Sequence, residues 1–224
     1  MAHAIGQLLS LAVGVALSPL PIIAVTVMLT TSRARANGPA FVGGWLVGLA
    51  VVGVVVLLVA QPTNANDGGE PATWVDVLKI VLGVLVLRIA LRQWRGRPRE
   101  GEEPPTPKWM GAIDAFTPAK AAGAGAVLAG ANPKNLMLAV AAAAAIAQTG
   151  IPGGQQAGAY AVFAVIGTVG VGAPVAIYFA LGDRSGPILD RLGRWMGTHN
   201  AVIIGVLCLV IGAKLIGDGI AGLG

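Results

Sequence analysis

Six long apolar stretches follow one another along the chain, at roughly 5–31, 39–60, 74–94, 121–147, 157–181 and 200–219, with polar or glycine- and proline-rich segments between them. Each holds about the 20 residues that carry a helix across a bilayer core. Within that core a helix can satisfy every backbone polar group by itself. The pattern therefore predicts an all-α integral membrane protein with six transmembrane helices. The loop after the first stretch holds Arg33 and Arg35, the third loop Arg95, Arg97, Arg99 and Lys108, and the fifth Arg184, Arg191 and Arg194, while the second and fourth hold no Lys or Arg. Basic residues collect in cytoplasmic loops. The odd loops are accordingly expected inside a cytoplasmic (inner) membrane and both termini outside. The first stretch has no basic n-region and is too long for the h-region of a cleaved signal, so it is expected to remain as a span.

Residues 95–119 interrupt the pattern with Arg95, Arg97, Arg99, Glu100, Glu102, Glu103, Pro104, Pro105 and Pro107. A segment so charged and proline-rich predicts a flexible cytoplasmic linker. It separates a first three-helix repeat, 1–94, from a second, 120–224. Because three is odd, equivalent helices in the two repeats run in opposite directions, and homologous halves would form an inverted repeat. The halves share one local feature: Ala16-Leu17-Ser18-Pro19 in the first span aligns with Gly130-Ala131-Asn132-Pro133 in the fourth. A proline inside a helix removes a donor and clashes with the preceding turn, so helices 1 and 4 are expected to be broken near mid-membrane. Broken helices at corresponding places in two halves point to the binding site of a secondary transporter.

The polar residues at these breaks are the candidate site. Lys134 stands about 13 residues, or roughly 20 Å, from either end of its span, too far to reach the interface. An ammonium there costs at least about 2.5–3.5 kcal/mol. It should face an internal site and bond freed carbonyls near Pro19 and Pro133, Asn132, Asn135, water or an anionic substrate group, or be neutral in one state and so couple transport to protons. The plainer alternative is that it ties the two broken helices together. Ser18, Asn132 and Asn135 supply small donors and acceptors beside the prolines Pro19, Pro21 and Pro133. Thr26 and Thr30 are expected to back-bond to their own helix, and Pro174 to kink the fifth span for packing. Asp76 with Lys79 and Lys214 with Asp218 have the spacing of helix-surface pairs near the outer membrane face. Gly44 and Gly48, and Gly167, Gly170 and Gly172, mark close helix contacts within or between subunits. Arg88, Arg92 and Arg95 share a face that suits lipid headgroups or simple anchoring.

Composition narrows the classes further. Of 224 residues 55% are hydrophobic and 11% charged, and the mean hydropathy is +0.77. A water-soluble globule is excluded. The net charge of +5 is dispersed over loops, which disfavours nucleic acid as a partner. Cys208 is the sole cysteine, so there is no intrachain disulfide. No His, Cys, Asp or Glu cluster stands in a span, so neither metal nor other cofactor is expected, and no nucleophile triad or nucleotide loop suggests an enzyme.

Six spans in two halves, Ser-Pro-Leu-Pro at 18–21, Asn-Pro-Lys at 132–134 and the charged linker resemble the LysE-type transporter superfamily. Within it the Ala/Gly/Val-rich chain is most similar to the GAP group, the glycolipid or peptidoglycolipid addressing proteins of sulfolipid-addressing-like type. The resemblance implies an exporter of cell-envelope glycolipid with a central site at Ser18, Pro19, Pro21, Asn132, Pro133 and Lys134. The in-span acidic or histidine residues of metal-exporting relatives and the paired cysteines of thiol-redox relatives are missing. An anionic headgroup would suit Lys134, but six short helices hardly enclose a large glycolipid, so a lateral opening to membrane lipids or a homo-oligomer is expected. Two other readings remain: a proton-coupled exporter of an amino acid or other small solute, and a non-transporting scaffold of a larger export complex.

Overall fold

The computed structural model describes residues 2–59, 73–96, 113 and 115–223. Among them the chain forms α-helices and short 3-10 segments, with no strand. The helices are α1 (Ala2–Ala16), α2 (Pro19–Met28), α3 (Ala34–Val59), α4 (Thr73–Arg95), α5 (Pro118–Gly130), α6 (Pro133–Ala147), α7 (Gly153–Leu181) and α8 (Gly186–Leu223). Most of the predicted linker, 95–119, lies outside the described residues.

The helix breaks fall where the prolines dictate. Ser18 (φ −99°, ψ 103°) and Asn132 (φ −67°, ψ 121°) are both extended, because a following proline disfavours the helical region for the residue before it. Pro19 and Pro133 then open α2 and α6 at the first helical position, where a missing N–H costs nothing. The axes of α1 and α2 differ by 44° across the break. Pro174 sits within α7, which continues through it as a single helix.

Three helices, α3, α7 and α8, are long and apolar enough to cross a membrane alone, and the bent α1–α2 pair makes a fourth candidate. At 23 residues α4 has the length but also carries Lys79, Arg88 and Arg92, and α5 and α6 are shorter, with 13 and 15 residues. The helices present apolar surface outward: Val47, Val51, Val54 and Leu58 of α3, Val165 and Val169 of α7, and Val206 and Leu209 of α8 are all exposed. Side chains of this kind in such number suit hydrocarbon rather than water. The chain is a helical membrane protein.

The fifth predicted loop differs from expectation. Gly182–Ser185 form a 3-10 turn, but α8 begins at Gly186 and runs 38 residues, so Arg191, Arg194 and His199 are helical. Their polarity marks them as loop, yet Leu189 and Met196 on the same segment bury one face against the bundle and hold it helical.

Small residues set the packing. A Cβ at Gly44 or Gly48 of α3 would overlap the backbone of Ala122 or Ala126 of α5, and one at Gly125 would overlap the Phe41 carbonyl. The residue order makes α3 and α5 parallel, and assigns the Gly44/Gly48 pair to an internal contact. Gly170 and Gly167 of α7 meet Ala16 and Val15 of α1, again in parallel, whereas Gly172 touches only its own helix. Between α4 and α8 the contact is antiparallel. Gly212 meets Gly83, Gly219 meets Asp76 and Gly205 approaches Ala90, so the contacts recur every seven residues on both helices. The Tyr160 hydroxyl of α7 donates to the Leu49 carbonyl of α3 at 2.9 Å.

Candidate functional site

Ending a helix leaves the carbonyls of its last turn without partners, and a proline four residues ahead ensures it. The Val15 carbonyl stands four residues before Pro19 and is met by the Ser18 hydroxyl at 2.7 Å. Gly14, one residue earlier, has its carbonyl 2.6 Å from the Lys134 ammonium of α6. On the other break, the Asn135 amide donates to the Leu128 carbonyl of α5 at 3.0 Å. Ser18 Oγ also lies 2.7 Å from Asn135 Oδ1, which joins the two breaks directly. A hydroxyl carries one proton, so Ser18 donates to Val15 or to Asn135 but not to both at once.

Lys134 is 6% exposed, Ser18 2% and Asn135 0%. These three residues, from breaks more than a hundred positions apart, form one buried polar cluster. The other predicted site residues are placed differently. Asn132 Oδ1 accepts from the backbone N–H of Lys134 at 3.1 Å and so caps α6. Pro19 and Pro21 are buried in the first turn of α2, while Pro133 is exposed on α6. Thr26 donates to the Ile23 carbonyl of its own helix, and Thr30, in the turn after α2, donates to the Val27 carbonyl.

Lys134 is the one ionisable side chain of the cluster, beside the neutral dipoles of Ser18 and Asn135. The ammonium offers three protons, and its hydrogen-bond partner among the described residues is the Gly14 carbonyl. No group of three or more potential metal ligands occurs among the described residues. The cluster can thus offer the Lys134 side chain to an anionic group.

The family model of Sap, the sulfolipid-1-addressing protein, matches residues 8–221. The chain belongs to this sulfolipid-1-addressing protein family. No curated protein and no solved structure matches it. The region that matches the sulfolipid-1-addressing family takes in both breaks and the whole Ser18–Asn135–Lys134 cluster.

Gly14 and Leu128 are absent from the residues that the sequence pattern nominates, although it carries a signal for them. Each lies four residues before the extended residue of its break, the position whose carbonyl loses its helical partner. A second polar group departs from the expected surface pair. Asp76 accepts from Lys79 at 2.9 Å as its spacing suggests, but it is 2% exposed and also accepts from Gln148, at the end of α6, at 3.0 Å. Packing of α8 against Asp76, through Gly219 and Gly222, buries it. Lys214 and Asp218 form the expected exposed pair.

Proposed function

We propose that the protein is a cytoplasmic-membrane exporter of an anionic cell-envelope glycolipid, of the sulfolipid class named by its family, and that the Lys134 cluster is its central site. One observation carries this reading: a lysine 6% exposed, placed between two proline-broken helices and, among the described residues, hydrogen-bonded to one backbone carbonyl. Such an ammonium is costly in an apolar bundle and is retained where an anion can meet it. A sulfate or carboxylate would accept the protons that Gly14 leaves unused. The chain acts as a transporter, not an enzyme, and needs no cofactor.

The packing supports a LysE-type inverted repeat of six spans, with α1–α2 and α5–α6 as broken first and fourth spans. Contacts come in corresponding pairs: α1 with α7 and α5 with α3, α2 with α8 and α6 with α4, and the central pairs α3 with α7 and α4 with α8. One correspondence is missing. The α1–α6 contact has no comparable α5–α2 counterpart among the described residues. With both termini outside, α1 and α6 occupy the outer half of the membrane and α2 and α5 the inner half. The arrangement then has its outer seam shut by Lys134–Gly14, without a comparable α5–α2 contact among the described residues, as an exporter awaiting cytoplasmic substrate would. An arriving headgroup takes the unused protons, competes with Gly14 for the third and so loosens α1 from α6.

The test is movement of a fluorescent sulfated glycolipid across proteoliposomes. Movement by the unaltered protein and its loss in Lys134→Met is the expected result; equal movement by both removes Lys134 from the mechanism. The tight burial of Ser18 and Asn135 favours, as second reading, a proton-coupled exporter of a small solute. Proton-driven efflux of an amino acid, with no lipid movement, would establish it instead.

A further inference from the structure

The first turns of α8 carry a feature that the central site does not use. Pro187, Ile188, Arg191, Leu192 and Trp195 lie along one side of the helix and line an open cavity of about 370 Å³. Ile188 is 46% and Trp195 50% exposed. The other side of the same turns is fixed to the bundle through Leu189 and Met196, and Gly193 lies against Thr26 of α2. The cavity wall is therefore a helix docked on the bundle.

Its chemistry is amphiphilic. Ile188, Leu192 and the Trp195 ring supply apolar surface, and Arg191 supplies an exposed guanidinium that has no ion pair among the described residues. Trp195 is held by the His199 ring, 4.8 Å away and nearly parallel. The antiparallel register of α4 with α8 brings Arg92 and Arg95 to this same end of the bundle, and Arg184 and Arg194 flank the cavity in sequence. Tryptophan beside arginine at the end of a spanning helix is the pattern of the headgroup level of a bilayer. A long helix of about 57 Å exceeds the ~30 Å hydrocarbon core, so these turns extend past it. Arginine there attracts anionic lipid, while adjacent apolar side chains take the start of its acyl chains.

We propose that this cavity is a binding site for a membrane lipid with an anionic headgroup, the phosphate on Arg191 and an acyl chain along Ile188, Leu192 and Trp195. The proposal is independent of what the central site transports.

The experiment reconstitutes the whole protein in nanodiscs that contain phosphatidylcholine together with either dibrominated phosphatidylglycerol or dibrominated phosphatidylcholine. Bromine in the chains quenches a tryptophan that touches them. The Trp195 signal is the difference between the protein and its Trp195→Phe variant. Stronger quenching by phosphatidylglycerol is expected, with a preference of about fivefold, the factor for one arginine at a lipid surface. In Arg191→Gln the preference should fall to near one, with helicity by circular dichroism unchanged because the side chain is exposed. Equal quenching by both lipids in the unaltered protein overturns the site, as does a preference that survives Arg191→Gln. Quenching by neither lipid also overturns it, because acyl chains then do not reach Trp195.

Discussion

Lys134 is the residue on which function and stability part company. Burial of its ammonium costs about 2.5–3.5 kcal/mol. Replacing it with the apolar, similarly long methionine relieves that cost but strands the Gly14 carbonyl, at about 1–3 kcal/mol. The two effects nearly cancel, so Lys134→Met should unfold within about 1 kcal/mol of the unaltered protein in a denaturant titration, while glycolipid movement falls at least about tenfold, the factor for one charge-assisted hydrogen bond. Asn135→Ala should behave in the opposite way. It removes the donor to Leu128 and the partner of Ser18 in one step, and nothing compensates for the stranded Leu128 carbonyl. A stability loss of about 1–3 kcal/mol is expected. A loss below that of Ser18→Ala would contradict the geometry. The chemistry of these side chains is legible in sequence because an ionisable group in an apolar run has few innocent explanations. Which carbonyl each meets is not.

At the level of helices, glycine decides which faces meet. Gly44 and Gly125 leave no room for a Cβ between α3 and α5, and Gly170 none between α7 and α1. Leucine at any of these forces backbones apart and should cost about 1–3 kcal/mol or more, read as loss of detergent-stable monodisperse protein. A Cβ added at Gly123 of α5 or Gly197 of α8 would meet nothing within 4 Å, so Gly123→Ala and Gly197→Ala should leave the elution profile unchanged. The prolines at the two breaks are readable, because the restriction that Pro19 and Pro133 place on Ser18 and Asn132 is local. The first turns of α8 are not. Arg191 and Arg194 mark a loop by polarity, and only the burial of Leu189 and Met196 against the bundle makes the segment a helix.

For the whole molecule, the asymmetry between the α1–α6 and α5–α2 seams predicts motion. Cys208 packs against Val86 and Ala90 of α4, with Met137 of α6 beside it, and is 1% exposed. It is the chain's sole thiol and so a native reporter of the bundle interior. Maleimide labelling should be slow in substrate-free protein and should accelerate with a sulfated glycolipid, if an anion at Lys134 loosens α6 from its neighbours. Labelling that is fast from the outset, or indifferent to the lipid, would argue for a static bundle. The sequence by itself determined that the chain is helical and membrane-embedded, where its helices break, and that a lysine stands beside one break. Hydropathy, proline sterics and the cost of a buried charge are properties of a residue and its near neighbours. Only the tertiary structure decided that Gly14 and Leu128 supply the acceptors, that Asn135 reaches Ser18, and that Asp76 is buried. Those contacts depend on how close helices approach across the bundle, and many separate small residues set that distance together.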